Sequence, residues 1–176
     1  MIQKVFARAD GSKSIGAGHL VRSDLILRNL KRCANIDVTL FTKSASGFLA
    51  FLDTRSYNLV EIPDSDDCSF ETKFFVEACR VEAPDAVVLD LLNPAPVLSG
   101  VATIREREIK TAVIVDNSDR TLFSANLILN GNPNQEQGWY QGEKGDYIVG
   151  PRYFIMDERY NHVEAKTSRG IVRTVL

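Results

Sequence analysis

The chain has 176 residues, a length that suits one domain with a sizeable hydrophobic core. Hydrophobic residues make up 44% of it and charged residues 25%, and the net charge of −2 gives no reason to expect nucleic acid or an anionic membrane as a partner. Cys33, Cys68 and Cys79 are too widely spaced for the C-x-x-C pairs of a zinc or redox site. No basic-then-apolar leader opens the sequence and no apolar run is long enough to cross a bilayer, so we expect a reduced, cytoplasmic protein.

Strand-like and helix-like patterns alternate along the chain, which is typical of an α/β fold with a doubly wound, mostly parallel sheet of the Rossmann-like type. A short buried strand is predicted over residues 2–7 and a helix over residues 19–33, where apolar residues recur at helical spacing. Further strands are predicted over residues 36–42, 59–62, 86–90, 111–116, 125–129 and from 147 onward, and further helices over 48–52, 69–81 and 97–107. Phe70, Phe74 and Phe75 of the helix at 69–81 are expected to face the core.

The turn between the first strand and the first helix carries the most informative residues. Gly16 and Gly18 stand just before the helix, where glycine lets the backbone approach a ligand closely. The first N–H groups of the helix are free at this point, and the partial positive charge at a helix N-terminus favours phosphate or an oxyanion. The turn therefore predicts a ligand site at this corner of the sheet.

His19 lies in the first turn of this helix, where the helix terminus is expected to lower the pKa of the imidazole and keep it neutral near pH 7. Arg8 and Asp10 are expected to leave the preceding strand on the same side, so that a cation, an acid and a base meet at one corner. The alternative is a glycine-rich turn whose histidine merely caps the helix.

Two common nucleotide-binding motifs do not fit this corner. A dinucleotide fingerprint needs a third glycine where Val21 stands, and an acidic residue at the end of the second strand, which ends instead in Thr42 and Lys43. A P-loop needs Gly-Lys-Ser/Thr at the start of the helix, and the sequence there is Gly-His-Leu. We therefore expect no NAD or ATP, and no other cofactor.

Two later strands end in a carboxylate, Asp90 and Asp116. In doubly wound sheets the ligand crevice lies beyond the carboxyl ends of the strands, so Asp90 is expected to point towards His19 if its strand lies beside the first. Capping of the next turn is the alternative for both residues. The acidic loop at residues 64–67 is interpreted as a solvated connection that caps the next helix, and no metal site is predicted.

The pattern Arg-x-Asp-x-x-x-x-Ile-Gly-x-Gly-His-x-x-Arg resembles the N-terminal signature of the UDP-sugar hydrolases of nonulosonic (pseudaminic) acid synthesis. These enzymes are related to spore-coat polysaccharide proteins and share the two-domain GT-B architecture of glycosyltransferases. The matching residues are Arg8, Asp10, Ile15, Gly16, Gly18, His19 and Arg22.

The resemblance implies metal-independent hydrolysis of a UDP-linked deoxy amino sugar, which releases UDP and the free sugar. A water attacks the anomeric carbon, and His19 positions or activates it beside Asp10, the second expected catalytic residue. The residues expected to bind substrate are Arg8, Gly16, Gly18, Arg22, Asp90 and Asp116. The chain departs from the family at Leu92, where a tyrosine is usual, at Asn117, where a second aspartate is common, and at Asp157, in a segment that usually carries arginine.

The resemblance also implies a domain organisation. Residues 1–156 would form the N-terminal domain of a GT-B architecture, residues 157–170 a linker, and residues 171–176 the opening strand of a truncated or missing second domain. On that interpretation the isolated chain is inactive and is completed by a second domain or a partner subunit, or it self-associates. The alternatives are half of a GT-B glycosyltransferase and a non-catalytic sugar-binding module.

Overall fold

The computed structural model describes residues 2–43, 46–67, 69–104, 108–116, 124–133 and 145–162. Their centre is a seven-stranded parallel sheet with the strand order β3-β2-β1-β4-β5-β6-β7. The strands are β1 Lys4–Ala9, β2 Asp37–Thr42, β3 Asn58–Glu61, β4 Ala86–Asp90, β5 Lys110–Ile114, β6 Leu127–Asn130 and β7 Asp146–Val149. The helices are α1 Gly18–Ala34, α2 Ser46–Leu49, α3 Phe70–Glu82 and α4 Ala95–Val101, with 3₁₀ turns at Thr54–Ser56, Pro151–Tyr153 and Glu158–His162. The α/β, doubly wound, Rossmann-like fold predicted from the sequence is confirmed.

The strand order reverses beside β1, and this reversal positions the site. The chain builds β1, β2 and β3 outward in one direction and then returns to place β4 on the other side of β1. Ala9 of β1 lies opposite Asp90 of β4 in the parallel register. The condition under which Asp90 would point towards the first helix is therefore met.

Each face of the sheet has its own hydrophobic core. On one face Phe6, Phe41 and Phe75 pack ring against ring, with centroids 4.8 Å apart for Phe6–Phe41 and 5.2 Å apart for Phe41–Phe75. Phe70 and Phe74 pack against this cluster, so the predicted inward aromatic face of α3 is confirmed. On the other face, residues of β1 and β2 pack against α1, and the buried members of this cluster are Val5, Ala7, Ala9, Leu20, Leu27, Ile36, Val38, Leu40 and Tyr57.

A buried carboxylate fixes α1 to the segment before β3. Asp24 accepts hydrogen bonds from the Tyr57 hydroxyl at 2.7 Å, the Asp53 backbone N–H at 3.0 Å and Arg28 Nε at 2.9 Å. Burial raises the pKa of the Tyr57 phenol, so the hydroxyl keeps the proton that it donates. This network orients the helix whose first turn carries His19.

Several element boundaries differ from the prediction. β1 continues to Ala9 instead of ending at residue 7, so Arg8 lies within the strand and only Asp10 follows it. Helix α4 ends at Val101 rather than at residue 107, because the N–H groups of Thr103 and Ile104 bond to carbonyls only three residues back and close the helix. Residues 105–107 lie outside the described part of the chain.

The predicted domain boundary falls in a segment that is described only in part. Asp157 and Glu158 lie against α1, where Arg32 pairs with Glu158 at 2.8 Å and Arg28 lies 3.9 Å from Asp157. The rest of the predicted linker and the strand at 171–176 fall outside the described residues, as do Asn117 and Cys68. The division into domains stays a prediction. Of the described helices, none is both long enough and apolar enough to cross a bilayer.

Candidate functional site

Four polar side chains from three elements meet at the carboxyl edge of the sheet. His19 and Arg22 lie in the first two turns of α1, Asp90 ends β4, and Asp116 follows β5. His19 Nδ1 lies 2.6 Å from Asp90 Oδ1. Arg22 bridges the two carboxylates, with contacts of 2.5 and 2.7 Å to Asp90 and of 2.5 and 2.7 Å to Asp116. These four residues, the His19 cluster, were all predicted as site residues, and the structure brings them together.

The hydrogen bond to Asp90 determines which ring nitrogen of His19 can react. A carboxylate only accepts hydrogen bonds, so Nδ1 carries the proton of this short contact and the lone pair of the neutral ring is on Nε2. This bond raises the pKa of His19, although burial acts in the opposite direction. The expectation that the pKa of His19 is lowered is therefore wrong, because the hydrogen bond to the Asp90 carboxylate raises it by more than burial lowers it.

The side chain of Arg22 is mostly buried between two carboxylates and is not a solvated residue on the surface of α1. Burial opposes its charge, but the hydrogen bonds to Asp90 and Asp116 raise its pKa, and Arg22 in turn lowers the pKa of Asp116. His19, Asp90 and Asp116 also offer ligand atoms within 4.8 Å of one another, a spacing that could hold a metal ion. In this structure the guanidinium of Arg22 lies between the two carboxylates and supplies the positive charge there.

A second polar network lies beside the first, and sequence reasoning found only half of it. Arg8, only 2% exposed, pairs with Asp10 and lies 3.2 Å from Glu71 at the start of α3. Lys43 closes the ring: its backbone N–H donates to Asp10 at 2.7 Å and its ammonium to Glu71 at 2.6 Å. Asp10 is thus held by Arg8 and Lys43, and the carboxylate bonded to His19 is Asp90. Glu71 and Lys43 follow no motif, and only the packing of α3 over β1 and β2 reveals their role.

The two predicted glycines have different roles. Gly16 has φ +75°, a left-handed conformation that disfavours other residues, and its N–H bonds back to the Ser12 carbonyl at 2.7 Å to close the turn. A Cβ added at Gly18 would meet no atom within 4 Å, so no described part of the protein comes close to this position. No side chain caps α1 at Ala17, and the space beside Gly18 is open to a ligand.

Clefts open on both sides of His19. One, of about 220 Å³, is shared by His19, Arg8, Asp10 and Glu71 and has apolar walls that include Leu91 and Leu92. The other, of about 300 Å³, has Arg22 and Asp116 beside His19, with Gly18, Val21 and Phe154 among the remaining lining residues. The candidate catalytic residues His19 and Asp10 therefore face a common space, although no hydrogen bond joins them among the described contacts.

Comparisons with known proteins give the fold but not the activity. No protein-family model matches the sequence. The uncharacterised protein MJ1062 of Methanocaldococcus jannaschii is 22% identical over 166 residues, which cover 92% of this chain and 32% of that protein. Among solved structures, MurG of Acinetobacter baumannii matches 82% of this chain and 45% of its own at 13% identity, with a TM-score of 0.56.

A UGT transferase of Siraitia grosvenorii, solved in complex with UDP, matches 65% of this chain and 28% of its own at 12% identity and a TM-score of 0.43. The chain thus spans about a third of the curated relative and less than half of MurG. The likeness to MurG shows that the described part of the chain has a Rossmann-like fold of the GT-B type.

Proposed function

We propose that this chain carries the nucleophile-activating site of an enzyme that hydrolyses a UDP-linked deoxy amino sugar at the anomeric carbon to UDP and the free sugar. The observation that carries the proposal is the His19–Asp90 pair, placed where the strand order reverses and at the uncapped start of α1. The hydrolase-like motif from Arg8 to Arg22 and the GT-B type of the fold support the same chemistry.

In this mechanism Asp90 holds the Nδ1–H of His19, so that Nε2 can accept a proton from a water in the cleft. As the water oxygen bonds to the anomeric carbon, the bond from that carbon to the diphosphate oxygen breaks and its electron pair leaves with UDP. The nearby carboxylate stabilises the imidazolium that forms, as a positioned acid does for a histidine base in other hydrolytic sites. Asp10, which lines a cleft with His19, accepts a hydrogen bond from the attacking water.

The first alternative is a glycosyltransferase half that is completed by a partner subunit or a further domain. The same His19–Asp90 pair would then deprotonate an acceptor hydroxyl instead of water. The fold likeness to MurG supports this alternative at least as well as it supports hydrolysis. A non-catalytic sugar-binding module is the second alternative, and its histidine would be dispensable for turnover. All three interpretations fit a protein of the cytoplasm that binds a sugar or a UDP-sugar.

The decisive experiment measures UDP release by the full-length protein from UDP-linked N-acetyl amino sugars. We expect release with water alone, no loss of activity in EDTA, and a fall of about 100-fold or more in His19→Ala, as is usual for a positioned acid–base group. His162→Ala, which removes the chain's other histidine, is the matched control and should keep normal activity.

Each of the other outcomes points to a different function. Release that requires an added acceptor would assign a transferase. Inhibition by EDTA with recovery on adding a divalent cation would show that activity needs a metal, for which His19, Asp90 and Asp116 are candidate ligands. Equal rates for the wild type and His19→Ala would contradict any catalytic role of this site.

A further inference from the structure

An exposed aromatic ring lies at the mouth of one of the two His19 clefts. Phe154 lines the cleft of about 300 Å³ together with His19, Arg22 and Asp116, and it is 56% exposed. Val21, on the exposed side of α1, is 38% exposed and lines the same cleft. The cleft therefore has an apolar side, formed by Phe154 and Val21, and a charged side, formed by His19, Arg22 and Asp116. The chemistry described so far uses only the charged side.

The backbone that carries Phe154 is fixed rather than loosely attached. Gly150, with φ +109°, begins a 3₁₀ turn over Pro151–Tyr153, and the Phe154 N–H donates to the Pro151 carbonyl at 3.2 Å. Gly131, just after β6, lets this turn come close, because a Cβ there would lie 2.7 Å from Phe154 Cα. The backbone of Phe154 is thus held in a defined place, at a cleft that His19 also lines.

We propose that Phe154 is a specificity-determining residue, whose ring packs against the apolar face of the sugar ring of the substrate while that sugar's anomeric carbon lies at His19. The inference rests on the proposed function and adds to it the side from which the sugar is bound. Phe154 lies outside the motif from Arg8 to Arg22, and none of the chemistry assigned to His19 requires it.

The chemistry of the cleft favours a sugar over a purely apolar or purely ionic occupant. One face of a pyranose presents C–H groups, which carry partial positive charge and pack on the negative face of an aromatic ring. The hydroxyls of the sugar need hydrogen-bond partners. Asp116, on the charged side of the same cleft, is 42% exposed and can accept such bonds. A ligand site typically joins apolar walls to a few polar groups that fix orientation, and a volume of about 300 Å³ can hold one monosaccharide unit.

The test is an NMR titration of the protein with UDP-N-acetylglucosamine and, separately, with UDP. We expect Phe154→Ala to weaken binding of the UDP-sugar by about three- to tenfold, the range of one aromatic contact, and to leave UDP binding unchanged. Phe154→Tyr, which keeps the ring, should bind like the wild type. Saturation of the aromatic protons should reach the sugar C–H protons in the wild type and reach them less in Phe154→Ala.

Two further variants keep the test specific. Phe51→Ala removes another exposed phenylalanine, 62% exposed and outside the lining of both His19 clefts, and should change nothing. Gly131→Ala leaves the ring intact but displaces its backbone, so it should weaken binding of the UDP-sugar as Phe154→Ala does.

The outcomes separate this inference from the function on which it rests. Equal UDP-sugar affinities for wild type, Phe154→Ala and Phe51→Ala, with UDP release still dependent on His19, would overturn the role of Phe154 alone. An equal loss of UDP and UDP-sugar binding in Phe154→Ala would also overturn it, since the ring would then contact the nucleotide. Failure of the wild type to bind any UDP-sugar would overturn the proposed function and this inference with it.

Discussion

His19 depends on Asp90 for both its orientation and its charge. The short contact between Nδ1 and the carboxylate raises the pKa of the imidazole, and Arg22 holds the same carboxylate from the other side. A base of raised pKa accepts a proton more readily but is protonated, and therefore inactive, over a wider range of acid pH. In the proposed hydrolysis, the pH dependence of the rate therefore reports on this pair.

We expect Asp90→Asn to move the acid limb of the pH profile to lower pH. Removing the carboxylate removes the main cause of the raised pKa, so His19 stays neutral and able to accept a proton at more acidic pH. The maximal rate should fall, because Nδ1–H loses its anionic partner. The profile of kcat/KM between about pH 5 and pH 9 measures both effects.

Asp116→Asn is the matched control for that profile. Asp116 lies 3.9 Å from Nδ1 and makes its hydrogen bonds to Arg22, so its loss should move the limb less. An acid limb that stays in place in Asp90→Asn would assign the observed ionisation to a group other than His19.

The same pair makes stability depend on pH. The folded-state pKa of His19 lies above its ordinary value of 6.5, so the pair's stabilisation is fully present below that value and is lost as pH rises through the folded-state pKa. Urea unfolding at a series of pH values should show this decline in the wild type and not in His19→Gln. A decline of equal size in His19→Gln would contradict the assignment.

The two glycines of the turn give a matched pair of substitutions. Gly16→Ala places a side chain at φ +75° and should lower the free energy of unfolding by about 1–2 kcal/mol. Gly18→Ala meets no protein atom, so its melting temperature should equal or exceed that of the wild type. Any loss of UDP-sugar turnover in Gly18→Ala would then indicate that the ligand lies close to this position. A melting temperature lowered equally in both variants would contradict the structural difference between the two positions.

At the scale of elements, the first turn of α3 joins the helix to the sheet through one carboxylate. Glu71 contacts the buried Arg8 of β1 and the ammonium of Lys43 after β2. Glu71→Gln keeps the shape of the side chain but removes the charge, so Arg8 retains only Asp10 as a counter-ion. We expect a loss of about 1.5–3 kcal/mol in urea unfolding, the range for hydrogen bonds to charged groups.

Glu82→Gln, at the other end of α3, is the control for that measurement. Glu82 pairs with Lys4 at 2.7 Å, but half of its side chain is exposed, and such surface pairs contribute only about 1 kcal/mol or less. If Glu71→Gln cost no more than Glu82→Gln, the ring around Arg8 would not be what joins α3 to the sheet.

The order and type of the elements could be predicted because they follow from local patterns. Buried parallel strands are apolar throughout and helices repeat at 3.6 residues, so the predicted strands and helices lie close to the observed ones, except that α4 ends at Val101 instead of residue 107. Arg8 shows where this reasoning stops: an arginine usually ends a predicted buried strand, yet Arg8 stays in β1 because Asp10 and Glu71 neutralise it.

The site could be predicted as a set of residues but not as a set of contacts. His19, Arg22, Asp90 and Asp116 are found because a glycine turn and strand-ending carboxylates mark the ligand edge of such a sheet. That Asp90 rather than Asp10 bonds His19 depends on β4 lying beside β1, which is a tertiary fact. Glu71 and Phe154 come from surface positions of α3 and of a late turn, and no local pattern sets them apart from other glutamates and phenylalanines.

For the molecule as a whole, the balance of charge around His19 limits what the described residues can hold. Arg8 pairs with Asp10 and Glu71, Lys43 with Glu71, and Arg22 with Asp90 and Asp116. The cations of both networks are thus already neutralised, and the uncapped N-terminus of α1 attracts anions only weakly by itself. A free diphosphate therefore gains little electrostatic attraction here. This agrees with the proposal that the site binds the sugar and that other groups bind the nucleotide.

We therefore expect residues 1–176 to bind UDP with a Kd weaker than about 100 µM. UDP-N-acetylglucosamine should bind more tightly than UDP, because in our proposal only the sugar contacts Phe154 and Asp116. Lys13 is exposed on the turn before α1, so we expect it to attract the diphosphate, and Lys13→Gln should weaken UDP binding further and reduce its dependence on salt. Lys31→Gln, an exposed lysine in the last turn of α1, is the control and should leave UDP binding unchanged. Calorimetric or NMR titrations at about 50 and 300 mM salt measure all three effects, since screening acts over about 10 Å or less in this range. Micromolar affinity for UDP would mean that Arg8 or Arg22 leaves its carboxylate partners to bind the diphosphate. The paired cations would then bind the nucleotide, contrary to the assignment of this site to the sugar.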